Sequence, residues 1–395
     1  MQSSLYSPFR GLGANLIFMK IVIAPDSFKG SLTALEVAKC IEKGIKKVDA
    51  TIETVIVPMA DGGEGTVQSL IDVSEGQIVE AIVHDPLFRP IKSFYGIMGD
   101  GKTAVIEMAA ASGLPLLKND ERNPHKTSTF GTGELIKDAL DKGCTNIIIG
   151  LGGSATNDGG TGMAQALGVR FLNAKGVELN MCGAELINIH SVDVSGIDVR
   201  VKGLSIVSAC DVDNPLCGIK GASNVYGRQK GATESDVETL DKGLEHFAER
   251  MKSDYGYDFK DYPGAGAAGG LGYGVLCFLG AKLERGIEIV TRVTKLAEKM
   301  KGADLVFTGE GRIDSQTAFG KTPFGVAQVA KQTNIPVIAI AGGLGIGYQE
   351  LYEKGFDGIF SLIDKPMSLD EAIANSEELL ENIAESIIRL RISLK

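Results

Sequence analysis

The residues best suited to chemistry lie in one glycine-rich stretch, TNIIIGLGGSATNDGGTGM, at positions 145–163. Within it, residues 150–160 are called the glycine loop. The loop holds five glycines and four polar side chains, those of Ser154, Thr156, Asn157 and Asp158. Because glycine has no Cβ, the backbone N–H groups of such a loop can approach an anion closely. A helix predicted over 163–167 would add the free N–H groups and partial positive charge of its N-terminus. We therefore expect an anion such as phosphate, the alternative being a tight strand-to-helix turn.

Acidic side chains also recur where strands are predicted to end. Residues 26–31 (DSFKGS) and 61–66 (DGGEGT) share one pattern, in which an Asp is followed at a fixed distance by a charged residue, a Gly and a hydroxyl. Each comes after a short apolar run, at 21–24 or 55–57, that is typical of a buried strand. Ligands of open α/β sheets bind at the carboxyl ends of the strands. The repeated pattern thus indicates a binding edge, although a single Asp at such a place is usually a turn or cap residue.

The acids and bases near predicted strand ends form a set suited to phosphoryl transfer. That reaction needs a phosphate-binding loop, carboxylates for Mg²⁺, cations for the transferred group and a carboxylate that accepts a hydroxyl proton. The carboxylates are Asp26, Asp61, Glu64, Asp158, Asp211, Glu310 and Asp314, and the cations are Lys29, Arg312 and Lys321. For each acid, a cap or structural hydrogen-bond acceptor is the alternative role. No Ser/His/Asp or Cys/His signature of nucleophilic catalysis is visible.

The elements that must position these residues divide the chain into two α/β domains. Five predicted strands would form one doubly wound parallel sheet built from both chain ends; they lie at 21–24, 55–57, 305–307, 337–340 and 358–362. We assign residues 19–66 and 290–395 to this domain and residues 67–289 to an inserted α/β domain. Short neighbouring strands in the insertion, at 78–83, 93–97 and 103–108, indicate an antiparallel or mixed sheet. Among the helices, one is predicted from Thr33 with a capping box to Glu36, and one closing helix over 369–394.

Composition excludes several classes of partner. The net charge is −10 with no basic cluster, which argues against binding to nucleic acid or to an anionic membrane. The six cysteines show no metal-binding spacing, so free thiols in a reducing compartment, the cytoplasm, are expected. Residues 1–18 differ from the rest and are expected to be a leader that activity does not need, with Met19 as the effective start. The sequence leaves the oligomeric state open.

Six blocks of sequence resemble the bacterial type-1 glycerate kinase family. They are APDSFKGSLTA (24–34), VPMADGGEGT (57–66), IGLGGSATNDGG (149–160), ACDVDNPLCG (209–218), PGAGAAGGLG (263–272) and FTGEGRIDSQTAFGKTPFGVA (307–327). Together they extend the resemblance over nearly all of residues 19–390. One departure is Arg228, where the family usually has Pro before Gln-Lys-Gly-Ala.

The resemblance implies a fold, a reaction and cofactors. The fold is a flavodoxin-like (Rossmann-like) domain made from both chain ends and a middle domain described as restriction-enzyme-like. The reaction is the phosphorylation of D-glycerate by ATP with Mg²⁺, giving 2-phosphoglycerate and ADP. The implied partners are therefore small molecules.

Roles for individual residues are hypotheses at this point. The expected nucleotide-binding residues are Gly152, Gly153, Ser154, Thr156, Asn157 and Lys321. The expected substrate-binding residues are Asp26, Ser27, Lys29 and Arg312, of which Lys29 and Arg312 would also hold the transferring phosphoryl group. Asp61 or Glu310 would hold Mg²⁺, and Asp314 or Asp211 would act as the catalytic base.

Three alternative functions stay open from sequence. Phosphorylation could occur at the 3-hydroxyl instead of the 2-hydroxyl. The substrate could be another small hydroxy compound, because GLGGSA also resembles the glycine–serine loop of the galactose and homoserine kinase group. A non-catalytic protein that binds a small acid is the third alternative, because paired α/β domains flanking a cleft also serve that purpose.

Overall fold

The computed structural model describes residues 19–318 and 320–394, so the predicted leader lies outside the described residues. The strands are β1 Lys20–Ile23, β2 Glu53–Ile56, β3 Gln77–His84, β4 Pro90–Ile97, β5 Thr103–Glu107, β6 Asn146–Gly150, β7 Arg170–Leu172, β8 Ser191–Asp193, β9 Ser205–Ala209, β10 Lys282–Glu284, β11 Leu305–Ile313, β12 Val337–Leu344 and β13 Gly358–Ser361. The α-helices are α1 Ala34–Val48, α2 Thr66–Ser74, α3 Ala109–Ser112, α4 Phe130–Asp141, α5 Thr161–Ala166, α6 Ala222–Tyr226, α7 Glu234–Tyr255, α8 Ala267–Leu279, α9 Gly286–Val293, α10 Leu296–Met300, α11 Thr322–Lys331, α12 Leu369–Ala374 and α13 Ser376–Ser393.

Both ends of the chain contribute to one five-stranded sheet, here called the parallel sheet. Its order is β13-β12-β11-β1-β2, and every neighbouring pair is parallel. Counted along the chain this is the order 2-1-3-4-5, which is the flavodoxin-like arrangement. Helices α1 and α13 cover one face, and helices α9 and α11 cover the other. The predicted doubly wound sheet is confirmed, and its topological switch point lies between β1 and β11.

The middle of the chain forms a six-stranded sheet, here called the mixed sheet. Its order is β10-β9-β6-β5-β4-β3, in which the β3–β4 and β4–β5 pairs are antiparallel and the remaining pairs parallel. The expectation of a mixed sheet is therefore confirmed. The restriction-enzyme-like description and the exact domain boundaries stay predictions.

The two sheets share a layer of buried aliphatic side chains. Val22 of the parallel sheet belongs to the same cluster as Val105 and Ile148 of the mixed sheet, and Leu70 and Ile71 of α2 complete the contact. Burial of apolar surface stabilises this arrangement. As a result, loops from the two sheets are held against each other.

The predicted ends of helices have mixed outcomes. The capping box at the start of α1 is confirmed, because Thr33 accepts from the Glu36 N–H and the Glu36 carboxylate accepts from the Thr33 N–H. The single closing helix over 369–394 is wrong. It is divided at Asn375, whose side chain donates 2.7 Å to the carbonyl of Glu371 and so ends α12. In the part of the chain that the structure describes, no helix combines the length and apolar character of a membrane span.

Candidate active site

Two carboxylates meet at the switch point of the parallel sheet. Asp26 follows β1, and its N–H donates 2.8 Å to the carbonyl of Gly309 in β11, one residue before Glu310. Open α/β sheets bind ligands at such a point, because loops from neighbouring strands diverge there and leave a crevice. Asp26 and Glu310, both of them candidate site residues from the sequence, therefore lie where this fold binds ligands.

Asp26 has an unusual environment for a carboxylate. Desolvation and the charges of Asp61 and Glu310 raise the pKa of Asp26 to about 7, although hydrogen bonds from Thr322 and Ser27 oppose the shift. The Thr322 hydroxyl donates to one carboxylate oxygen, and the Ser27 N–H donates 2.6 Å to the other. A bound cation would relieve the repulsion among the acids.

Glu310 is held by the segment that leads into α11. It accepts 2.7 Å from the hydroxyl of Thr317 and 3.3 Å from the ammonium of Lys321. Desolvation, with a smaller contribution from the charge of Asp61, raises the pKa of Glu310. Lys321, predicted to bind nucleotide, thus lies beside a predicted metal-binding acid.

Asp211 brings a carboxylate from the mixed sheet to the same place. It follows β9 and accepts 3.0 Å from the N–H of Gly286 at the start of α9. Desolvation, and to a smaller extent the charge of Asp61, raises the pKa of Asp211 to about 6. Asp26, Asp61, Asp211 and Glu310 are called the acidic cluster below.

The glycine loop approaches the acidic cluster through close backbone contacts. A Cβ at Gly150 would lie 2.6 Å from the carbonyl oxygen of Gly62, and a Cβ at Gly152 would lie 3.5 Å from the Cα of Gly63. Asp61 immediately precedes these two glycines, and its carboxylate accepts 3.1 Å from the Gly63 N–H. Gly152 itself is exposed, as is its neighbour at 153. An open glycine backbone therefore lies next to the segment that follows Asp61, a member of the acidic cluster.

The polar side chains of the glycine loop point inward. Ser154 is buried, and Thr156 and Asn157 are completely inaccessible. The Asn157 amide donates 3.0 Å to the hydroxyl of Ser223. Thr156 Oγ1 and Asn157 Oδ1 have no hydrogen-bond partner among the described residues. The structure therefore brings Gly152 and the next glycine to the surface but not these three side chains, whose nucleotide contacts stay predictions.

The N-terminus of α5 is not free, and here the sequence interpretation is wrong. The Asp158 carboxylate accepts from the N–H groups of Gly160 and Gly162 at 3.1 and 3.2 Å, and from both the N–H and the hydroxyl of Thr129. Asp158 is fully buried, which raises its pKa. The chain's own carboxylate thus occupies the end of the helix that was expected to face a ligand.

Lys230 is a residue to which the sequence analysis assigned no role. It is buried, and its ammonium donates 2.7 Å to the Ser154 hydroxyl and 2.7 Å to the Thr156 carbonyl. Desolvation lowers the pKa of Lys230 to about 7. The Gln-Lys-Gly-Ala block was the only available signal. The neighbouring Arg228 is exposed and pairs with Glu234 at 2.5 Å, so the departure from the family pattern is a surface turn.

The predicted substrate-binding cations lie on the rim of the site. The backbone segments that carry Lys29 and Arg312 approach each other, since a Cβ at Gly311 would lie 3.5 Å from the backbone nitrogen of Lys29. Lys29 pairs with Glu64 at 2.8 Å, and Arg312 Nε lies 3.3 Å from the Asp314 carboxylate. Both cations are mostly exposed, at 80% and 72% of their side-chain surface, and so are accessible to an anionic substrate.

Asp314 is engaged in a turn. Its Oδ1 accepts 3.0 Å from the N–H of Gln316, and its N–H donates 3.2 Å to the hydroxyl of Thr317. By contrast, Asp211 borders an open cleft of about 630 Å³, which Arg285, Phe324 and Gln328 also line. The two candidate bases thus differ in their surroundings: Asp314 is part of a turn, whereas Asp211 borders an open cleft.

Comparison with known proteins decides the family. The profile described as the glycerate kinase family matches residues 21–392. The chain belongs to the glycerate kinase family. It is 53% identical to the glycerate kinase of Halalkalibacterium halodurans, over 93% of this chain and 97% of that protein, and 52% identical to the glycerate 2-kinase of Escherichia coli K12, over 90% and 93%. It also matches a crystal structure from Salmonella typhimurium LT2, of a protein described as glycerate kinase 2, with a TM-score of 0.88 and 48% identity over 95% of this chain and 99% of that one.

Family membership makes the protein a kinase and confirms the resemblance drawn from the six sequence blocks. The acidic cluster is compatible with Mg²⁺ chemistry. In the ranges 19–318 and 320–394, no three acidic, His or Cys side chains converge tightly enough to hold a metal ion by themselves. Mg²⁺ characteristically takes only one or two protein carboxylates and completes its shell with waters and phosphate oxygens. Asp61 and Glu310 are both carboxylates and so are chemically suited to such a site, but their role as Mg²⁺ ligands stays a prediction.

Proposed function

We propose that the protein transfers the γ-phosphoryl group of ATP to the 2-hydroxyl of D-glycerate, giving 2-phosphoglycerate and ADP. The observation that carries this proposal is the contact of Gly150 and Gly152 with the loop that follows Asp61. It sets a phosphate-binding backbone beside carboxylates suited to a divalent cation, within a chain of the glycerate kinase family. Phosphoryl transfer depends mainly on such positioning and on electrostatic stabilisation.

The nucleotide binds through the exposed part of the glycine loop. Gly152 and Gly153 donate backbone N–H groups to phosphate oxygens, because no side chain stands between the backbone and the anion. Lys321 is one-third exposed and adds a cation to the same region. Asp61 and Glu310 would hold Mg²⁺, which would supply positive charge to neutralise the phosphates.

Glycerate binds at the rim. Lys29 and Arg312 contact its carboxylate, since a guanidinium and an ammonium are suited to a small carboxylic acid. Asp26 and Ser27 orient its hydroxyl groups from the end of β1. When these cations hold the carboxylate of glycerate, its 2-hydroxyl lies nearer to them than its 3-hydroxyl does. The 2-hydroxyl is therefore the group presented to the γ-phosphorus.

Asp211 is the catalytic base in this proposal. One of its oxygens accepts from Gly286, and the residue lines the open cleft. As the bond from the 2-hydroxyl oxygen to phosphorus forms, the hydroxyl proton passes to Asp211. The bond from the γ-phosphorus to the bridging oxygen breaks, and ADP leaves with that electron pair. Asp314 is instead assigned to the turn that positions Arg312.

We place the reaction in the cytoplasm, with small molecules as the partners. Each of the six cysteines is a free thiol, which agrees with a reducing compartment. The net charge of −10 also argues against nucleic acid as a partner.

The test is to mix the protein with ATP, Mg²⁺ and D-glycerate, follow ADP release, and resolve the product by ³¹P NMR. The proposal expects ADP release that depends on both glycerate and Mg²⁺, and a 2-phosphoglycerate signal. A 3-phosphoglycerate signal would support the kinase activity but would show that the 3-hydroxyl, not the 2-hydroxyl, is phosphorylated. Turnover with homoserine or galactose but not glycerate would overturn the substrate. Glycerate binding by calorimetry without ADP release would leave only a binding protein.

A further inference from the structure

A buried ammonium directly supports the glycine loop. Lys230 is 2% exposed, and its two hydrogen bonds reach Ser154 and Thr156, the residues that follow the exposed Gly152 and Gly153. One contact is to a side chain and the other to a backbone carbonyl. The ammonium therefore joins two points of the loop two residues apart, at the place where it turns from the surface into the interior.

Other contacts hold the same part of the loop from a different side. The N–H of Leu114 donates 2.8 Å to the Gly153 carbonyl, and the Ala155 N–H donates 3.0 Å to the Ser112 carbonyl. These backbone bonds fix the main chain but leave the Ser154 hydroxyl and the Thr156 carbonyl to Lys230. Lys230 thus provides the fixation that the backbone bonds do not.

Close contacts hold the segment that carries Lys230. The Lys230 N–H donates 3.0 Å to the Gly227 carbonyl, and the next residue, Gly231, has a φ of +96°. A Cβ at Gly231 would lie 2.2 Å from the carbonyl oxygen of Arg122, so only glycine fits there. Arg228 secures the outer side of the turn through Glu234. This packing directs the lysine inward rather than toward water.

Apolar packing alone would not need a charged group at this position. Burying an ammonium is costly, and an aliphatic side chain of similar shape would fill the same space without that cost. The desolvated environment lowers the pKa of Lys230, while the charge of Asp158 partly opposes this. The reason for a lysine here is therefore its two hydrogen bonds to the glycine loop, which an aliphatic side chain could not make.

We infer that Lys230 is a positioning residue for nucleotide binding, which through its two hydrogen bonds fixes the glycine loop in the conformation that receives the phosphates. This inference rests on the proposed function, because it takes the anion at Gly152 and Gly153 to be the phosphate chain of ATP. It assigns Lys230 no contact with substrate or with the reacting atoms.

The test compares Lys230→Met, which keeps the length of the side chain, with Lys299→Met as a matched control. Lys299 is a half-buried lysine of α10 whose pKa is also lowered by desolvation. For each variant, KM for ATP, KM for glycerate, kcat, the Kd of ATP by calorimetry and the melting temperature are measured. Lys230→Met is expected to raise KM and Kd for ATP about tenfold or more, the size of a lost charged hydrogen bond, with KM for glycerate unchanged. Lys299→Met should leave all the kinetic constants unchanged.

A second variant keeps the inference testable if Lys230→Met does not fold. Ser154→Ala removes one acceptor and retains the lysine, and should raise KM for ATP several-fold. Where both single variants fold, the double variant should lose less ATP affinity than the two losses combined, because both disrupt one interaction. A melting temperature that falls while KM and Kd for ATP stay at wild-type values would overturn the inference and leave Lys230 a structural residue. An unchanged KM for ATP in Ser154→Ala would do the same.

The wild-type measurement separates this inference from the proposed function. If the wild type turns over ATP and the variants have wild-type KM and Kd for ATP, only the inferred role of Lys230 is refuted. Absence of ATP-dependent turnover in the wild type removes both.

Discussion

The hydroxyl of Thr322 donates a hydrogen bond to the carboxylate of Asp26, although the two residues are 296 positions apart. Asp26 follows the first strand, and Thr322 begins α11 in the C-terminal part of the chain. Thr322 is fully buried, so its hydroxyl has no access to bulk water. This bond joins the two chain segments of the parallel sheet at the point where they form the site.

Thr322→Val should weaken activity, whereas Thr322→Ser should not. Valine has the same shape but no hydroxyl, and that hydroxyl holds the pKa of Asp26 below what burial alone would give. Loss of one hydrogen bond to a charged group costs roughly a factor of ten or more, so kcat/KM should fall by about that factor at neutral pH. Steady-state kinetics of both variants test this, and equal activity of valine and serine would contradict it.

The acidic cluster should make stability depend on pH and on Mg²⁺. Because the pKa of Asp26 is raised to about 7, the folded protein binds a proton between about pH 4 and pH 7 that the unfolded chain releases. This group therefore lowers stability as pH rises through that window. Asp26→Asn, which retains an acceptor for Thr322, should melt higher than wild type, by a margin that is larger at pH 8 than at pH 5.

The effect of Mg²⁺ on the melting temperature provides a control for the Asp26→Asn variant. A cation among the carboxylates should raise the melting temperature of the wild type more than that of Asp26→Asn at pH 8. Chelation with EDTA should reverse the effect. A melting difference that is the same at both pH values would show that Asp26 is not destabilised by its neighbours.

Substitution of the two candidate bases, Asp211 and Asp314, should have opposite effects on kcat and on stability. Asp211→Asn should lower kcat by roughly 10²–10⁴-fold, the usual contribution of a general base, without loss of stability. Asp314→Asn should cost about 1 kcal/mol of stability, as loss of a cap does, with kcat within a few-fold of wild type. Single-turnover rates and thermal melting of both variants make the comparison, and the reverse pattern would transfer the base to Asp314.

Gly152→Ala should impair nucleotide binding without unfolding the protein. The added Cβ would meet the Cα of Gly63 at 3.5 Å, which is an ordinary contact, but it would point into the space where phosphate approaches the backbone. KM for ATP should rise by roughly tenfold, equal to about 1.4 kcal/mol. Gly203→Ala is the control, because nothing lies within 4 Å of its Cβ position. Equal KM values for the two variants would exclude the glycine loop as the phosphate site.

Lys29→Met should raise KM for glycerate by roughly tenfold, since it removes a charged hydrogen bond to the substrate carboxylate. Lys92→Met is the matched control: Lys92 is also exposed and pairs with Glu80 at 2.7 Å on the mixed sheet. Both exposed ion pairs contribute little to stability, so neither variant should melt differently. If KM for glycerate shifts equally in the two, Lys29 does not bind the substrate.

Local patterns in the sequence predicted much of the fold. The five apolar runs gave the parallel sheet, because a buried strand needs only a short run of apolar residues between turn signals. The capping box of Thr33 and Glu36 was equally readable, since its partners are three residues apart. The closing helix failed at Asn375, where a side-chain hydrogen bond to the backbone interrupts a pattern that otherwise predicts one helix.

The candidate site likewise has features that local sequence predicts and features that only the tertiary structure decides. The sequence by itself determined the family, the glycine loop and the acids at the strand ends, because residue types and spacing suffice for these. Only the tertiary structure decided that Asp158 turns inward to α5, that Asp211 comes beside Asp61, and that Lys230 reaches Ser154 across 76 positions. A buried polar group must find a hydrogen-bond partner, and which distant segment supplies that partner is settled only when the helices, loops and sheets pack together.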